Sequence, residues 1–384
     1  MTRVERVPGR RKAAPPSRPS RFGWSDGSRE HPARARRPSS RPTSDTFVVE
    51  TPAPQSSTVQ PGARWSPMLL GLAWLFLIAA GAGGLVALRA LEADDLPRQA
   101  VACAIGVLLA VGVAVRSGGR ALIAAALAIL VAGTALGTGW EPLLAGVAVA
   151  TGVLAAGLAV LGTVPAPSFL RVVREVVLAL LLASVGALAV DGFVVPVDPD
   201  RFGYTVLALG LVATVAMVYR LGGGLHGLGR RGVAVGVAAV VLLAVALAYT
   251  EALAQWGSPG MIDRVDAATG WVRRTLGASP HPIEVLVGIP ALAWGVSMRA
   301  RRRQGWWVCA FGATATASVT SRLLTSDLGA RDPALSVAYG LVLGLILGWI
   351  VIRVEQALQP GRGRRARRDE DVLRTEPGRL RPLH

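Results

Sequence analysis

The chain has 384 residues, 41 Lys and Arg against 24 Asp and Glu, and a hydrophobic share of 52%. That length would allow two or three soluble domains, but the apolar residues are gathered into long, nearly charge-free runs, and this argues against a water-soluble fold. The formal net charge of +17 does not call for nucleic acid, because arginines flanking membrane helices produce the same excess.

Residues 1–67 are rich in Arg, Pro and Ser and poor in large apolar groups. Such a segment buries too little surface to offset its chain entropy, so the expectation is a disordered, basic, cytoplasmic tail. Two apolar islands, Arg21–Trp24 and Thr46–Val49, interrupt it. Lys12 is the only lysine, which, with the excess of Ala and Gly, points to a GC-rich bacterial coding bias. The first apolar run begins near Met68, too late for a cleavable signal peptide.

Ten apolar runs follow, at 68–89, 99–115, 121–139, 143–164, 176–195, 203–219, 233–250, 283–298, 306–326 and 335–352. A helix needs roughly 20 apolar residues to cross the hydrocarbon core, and there it must satisfy its own backbone groups. The expected fold is therefore an all-α polytopic membrane protein, with a ten-helix domain over 68–352 between disordered, basic cytoplasmic tails. With both tails inside, the inner segments hold 33 of the 41 Lys and Arg. Arg116 and Arg120, Arg171 and Arg174, Arg220, Arg230 and Arg231, and Arg299, Arg301, Arg302 and Arg303 mark successive inner loops. Outer loops are acidic or mixed, as at Glu92, Asp94 and Asp95, and then Asp198 and Asp200. This bias places the chain in a bacterial cytoplasmic membrane with both termini in the cytoplasm.

The longest outer loop, 251–282, reads as an amphipathic segment. Ser258-Pro259 suits a helix start, and Met261, Val265, Ala268, Val272 and Leu276 recur at helical spacing. The eighth run carries Gly288-Ile289-Pro290, where the proline removes a backbone hydrogen bond and kinks the helix. The C-terminal segment 353–384 is basic and suits anionic lipid headgroups.

Two constellations stand out. The ninth run is the most polar, with Thr314, Ser318 and Arg322 on one face. An arginine within the bilayer is costly and needs a partner. Asp191, Glu251, Glu284 and Asp327 fall at the same level, so Arg322 and these acids form a candidate outer polar vestibule. The last run spaces Gly340, Gly344 and Gly348 four apart, a groove that lets another helix approach closely.

No catalytic set, cofactor motif or metal cluster is evident. Cys103 and Cys309 lie in apolar runs, where they suit helix packing, and His226 and His281 fall in loops on opposite sides of the membrane. The chain is thus read as a non-enzyme that needs no cofactor and binds no nucleic acid. The leading expectation is a permease-like transporter of a small or amphipathic solute. The alternative is a membrane scaffold or envelope-assembly component that recruits a cytoplasmic protein through the N-terminal tail. Ten spans match the two five-helix repeats of drug/metabolite-type transporters in number, but no internal repeat relates 68–195 to 203–352, so the likeness stops there.

Overall fold

The computed structural model describes residues 67–221, 259–302, 304–325, 331–358, 376–379 and 381–383, with single positions between 234 and 248. The tail before Pro67, most of the run 233–250, Glu251, Asp327 and the arginine-rich stretch 359–375 lie outside the described residues.

Among the described residues all regular structure is helical. In chain order the helices are α1 (Pro67–Ala90), α2 (Asp95–Arg116), α3 (Ala121–Thr138), α4 (Glu141–Leu161), α5 (Phe169–Gly192), α6 (Pro199–Arg220) and α7 (Pro259–Leu276). Then come α8 (Ile289–Arg299), preceded by a π turn at Glu284–Gly288, α9 (Gly305–Phe311), α10 (Ala313–Thr320) with a 3₁₀ turn at Arg322–Thr325, and α11 (Arg331–Leu358).

Local chemistry sets several of these boundaries. Asp198 caps α6, its carboxylate accepting from the backbone N–H groups of Asp200 and Arg201, and Pro199 supplies the first turn. Gly139 ends α3 in the left-handed conformation, at φ 60°.

Seven of the described helices, α1 to α6 and α11, are long and apolar enough to cross a membrane. Their outward faces agree with that solvent. Leu122 is 86% exposed and Leu130 63%, so α3 presents a broad apolar wall that hydrocarbon, not water, would cover. The architecture is that of a multi-pass membrane protein.

The eighth and ninth apolar runs are interrupted helices instead of long spans, and the interruptions have local causes. Pro290 has no N–H to return to Leu286, and the chain widens into a π turn just ahead of it, with the Ile289 N–H reaching back to the Glu284 carbonyl. In the next run Gly312 separates α9 from α10. Its N–H donates to the Cys309 carbonyl at 2.8 Å, and its own carbonyl accepts from Ala315 and Thr316.

Together α8, α9 and α10 form a hairpin inside the bundle. Ala313, Thr314, Ala315, Thr316, Ala317 and Thr320 have no exposed surface, because α4, α5, α6 and the π turn surround α10. Glycine makes this closeness feasible. A Cβ on Gly288 would collide with the Ala315 backbone nitrogen, and one on Gly295 would lie 2.5 Å from the Cys309 nitrogen. The two arms of the hairpin touch backbone to backbone.

Gly340, Gly344 and Gly348 of α11 face the same hairpin. Added Cβ atoms there would meet Glu284 Oε2, Ile289 Cβ and Ala293 Cβ at 3.0, 2.6 and 2.9 Å. α8 is further tied to α11 by Trp294, whose indole donates to Glu355 at 2.8 Å.

Candidate functional sites at the two ends of the bundle

The buried hairpin leaves charged groups at each of its ends, and each end is built from several helices.

At one end, the π turn presents Glu284, α10 presents Ser318, the 3₁₀ turn presents Arg322 and α11 presents Ser336. Glu284 has no exposed surface and Arg322 is 8% exposed. Arg322 forms an ion pair with Glu284 and donates to Ser336. Ser318 donates to the same Glu284 oxygen at 2.5 Å, and Ser336 passes its own proton to the Ser279 carbonyl at 2.6 Å. The second Glu284 oxygen is buried and has no hydrogen-bond partner among the described residues. Helical spacing puts Ser318 and Arg322 on one face of the element, and the π turn rotates Glu284 toward them.

Asp191 is not part of this network. It ends α5 and pairs with Arg89 of α1 at 2.5 Å and with Arg98 of α2 at 3.6 Å. Of the expected vestibule, the structure brings together Arg322 and Glu284 and sends Asp191 to a separate pair. The other two acids, Glu251 and Asp327, fall among residues not described. The reason for the separation is geometric: α1 and α2 stand beside α5 and offer two nearer guanidiniums. His281, in the loop before the π turn, is desolvated by its neighbours although part of its surface stays open. That desolvation, with Arg322 and Arg273 nearby, pushes its imidazole down to about 4.

The opposite end carries a larger cluster that the sequence pattern does not reveal. Arg116 closes α2, Arg299 closes α8, Thr163 follows α4 and Glu175 lies in the first turns of α5. Arg116 is 1% exposed, and Arg299 and Glu175 have no exposed surface. Arg116 donates to the carbonyls of Leu161 at 2.7 Å and Thr163 at 3.4 Å. Arg299 donates to the Thr163 hydroxyl at 2.7 Å and its carbonyl at 3.1 Å, and stacks on Trp306 at 3.4 Å.

The C-terminal segment completes this cluster. Glu376 accepts from Arg299 at 2.5 Å. The carbonyls of Gly378 and Arg381 accept from Arg116 at 2.7 and 3.0 Å. Arg379 reaches Glu175 at 2.5 Å, beside Arg174 at 2.9 Å, and the other Glu175 oxygen accepts from the Val164 N–H at 2.9 Å. The Leu383 N–H returns to the Arg116 carbonyl at 3.2 Å. Composition predicts a basic tail from Arg353 onward, but α11 continues to Leu358 and the described residues from Glu376 to Leu383 are folded against the bundle. Glu175 is the one acid in its basic loop, but Glu376 is one of several acids in a basic tail, and no spacing links either to Arg116 or Arg299.

Beside this segment lies an open groove of about 520 Å³, lined by Met68, Leu72, Val164, Arg174, Gly378, Arg379 and Arg381. Among the described residues, no group of three or more His, Cys, Asp or Glu could hold a metal ion. No family model matches this chain, and no curated protein or solved structure does either.

Proposed function

We propose that the protein is a permease-like transporter of a small or amphipathic solute, set in a bacterial cytoplasmic membrane with both termini in the cytoplasm, and that the hairpin α8–α10 is its working element. The observation that carries this reading is a short, interrupted, hydroxyl-bearing helix buried on all sides in a bundle of spanning helices. Interrupted helices at the centre of a bundle are how many transporters build their solute sites. Thr314, Thr316, Ser318 and Thr320 supply hydroxyls along α10. Thr316 already donates to the Ala156 carbonyl of α4 at 3.1 Å, a bond that a moving hairpin would exchange. A buried charge network closes each end, Glu284 with Arg322 at one and Arg116, Arg299 and Glu175 at the other. Both gates shut is the arrangement expected of an occluded state. Under this reading the arginine bias places the Arg116 end on the cytoplasmic side.

The test needs no knowledge of the solute. With Cys103 and Cys309 changed to alanine, Thr316→Cys is exposed to a membrane-impermeant maleimide from either face of oriented vesicles. Alternation between the two gates gives slow labelling from both faces, and Arg322→Ala speeds labelling from its own face. A static scaffold gives no labelling from either face while the denatured protein labels fully, and that result would end the transport reading.

A further inference from the structure

The Arg116–Arg299 cluster has a feature that packing alone does not require. Two guanidiniums are buried at one mouth of the bundle, close enough that both reach Thr163. From the bundle helices these arginines receive only neutral acceptors, all at the end of α4: the Leu161 carbonyl, the Thr163 carbonyl and the Thr163 hydroxyl. The carboxylate that meets Arg299 comes from Glu376, 18 residues beyond the last residue of α11. Glu175 is committed to Arg174, Arg379 and the Val164 N–H. Among the described residues the buried Arg299 Nε has no hydrogen-bond partner.

Buried guanidinium pairs are unfavourable unless an anion sits with them, and planar guanidinium forks suit carboxylate and phosphate oxygens. We propose that this mouth is an anion-binding socket, formed by Arg116 and Arg299, with the Thr163 hydroxyl holding Arg299 in place, in which Glu376 is a tethered stand-in for a small carboxylate- or phosphate-bearing solute. The described residues 376–379 and 381–383 form the lid, held by Glu376 on Arg299 and by Arg379 on Glu175. When a free anion takes the Glu376 position, the Arg116 bonds to the Gly378 and Arg381 carbonyls are released and the segment lifts. Because the resident carboxylate is tethered, a free anion competes with an effective concentration on the order of millimolar. The socket does not depend on the transport reading, since a non-transporting protein with the same mouth would bind the same anions.

The segment's position can be read directly. The Leu383 N–H lies 3.2 Å from the Arg116 carbonyl, so Ser117→Cys with Leu383→Cys, in full-length protein lacking Cys103 and Cys309, forms a disulfide while the lid is closed. The protein is held in nanodiscs of zwitterionic lipid, and the disulfide rate is followed as inorganic phosphate or succinate is added at constant ionic strength. The expected result is a rate that falls at millimolar anion with either compound or with one of them. Glu376→Gln lowers the half-effective concentration about tenfold, because the tethered competitor has lost its charge. Arg299→Gln removes the response. Glu376→Gln changes a residue of the segment and none of the bundle helices, so its shift remains readable if Arg299→Gln fails to fold. Rates unmoved by both anions in both the unaltered chain and Glu376→Gln would overturn the proposal. So would an equal effect of chloride, or slowing seen only when anionic lipid replaces zwitterionic lipid.

Discussion

The pair formed by Glu284 and Arg322 makes a sharp prediction, because its two members are buried to different degrees. Arg322→Met leaves a carboxylate with no exposed surface, one Ser318 hydroxyl for company, and an oxygen that already lacks a partner. Breaking a buried pair in this way costs about 3–5 kcal/mol. Glu284→Gln should cost less. Arg322 is 8% exposed, keeps Ser336 as acceptor, and has a long stem that lets its charge reach toward water. The double variant removes both charges. Gln at 284 still bonds Ser318, so what remains is one unsatisfied neutral group, worth about 1–3 kcal/mol. Ser336 still donates to the Ser279 carbonyl. The double variant should therefore recover roughly 2 kcal/mol of the loss caused by Arg322→Met, the difference between those two costs. Apparent melting temperatures in one detergent, at one heating rate, give the order: unaltered chain, then the double variant and Glu284→Gln, then Arg322→Met lowest. A double variant that melts at or below Arg322→Met would refute the coupling and the buried-pair argument with it.

Other substitutions separate structural from gating roles. Gly295→Val places methyls where even a Cβ would lie 2.5 Å from the backbone nitrogen of Cys309. It should cost more than the roughly 1–3 kcal/mol of ordinary overpacking, whereas Gly133→Ala, which meets nothing within 4 Å, should leave the melting temperature unchanged or higher. Asp191→Asn breaks pairs whose arginines are part-exposed, so the loss should stay below about 1 kcal/mol, and labelling of Thr316→Cys should not change. Val194 holds φ at 51°, where a β-branched residue is strained, so Val194→Gly should offset its lost side-chain packing by relieving roughly 1–2 kcal/mol, visible as an unreduced melting temperature. His281 has a folded value of about 4 against an ordinary 6.5, so the unfolded chain takes up its proton first as pH falls. Stability should decline between pH 6.5 and 4, and His281→Gln should flatten that part of the melting curve against pH.

The all-helical, multi-pass character was legible because hydrocarbon imposes a simple rule on sequence: long apolar runs with charges at their ends. The limits of that rule are visible at runs eight and nine. Hydropathy registers Ile283 to Met298 as one span, but it does not register that Pro290 converts the preceding turn to a π turn, or that Gly312 divides the next helix in two. The Glu284–Arg322 pair could be anticipated because an arginine in an apolar run needs a counter-charge. Its separation from Asp191 could not, since that depends on which helices stand beside α5. The opposite cluster was hidden for a different reason. Arg116 and Arg299 have the same sequence signature as any loop arginine, and only the fold shows that they are turned inward. Glu376, the partner of Arg299, and the Gly378 and Arg381 carbonyls that Arg116 meets are distant in sequence from both.

The distribution of buried charge itself bears on function. A buried ion pair is weak evidence for stability, since an apolar replacement of similar volume often serves as well. Here α10 carries only Ala, Thr, Ser and Val, and the buried acids and arginines stand at the hairpin's two ends, Glu284 and Arg322 at one, Arg116, Arg299 and Glu175 at the other. At a helix end, a modest displacement brings water to groups that are costly to bury, so breaking the network and hydrating its members are coupled. The same groups at mid-bilayer would have no such second state. Under the proposed transport reading, charges at both mouths, around an element whose helices are already interrupted, are what two alternately opening gates require. A bundle built only for rigidity would be better served by leucine at these positions.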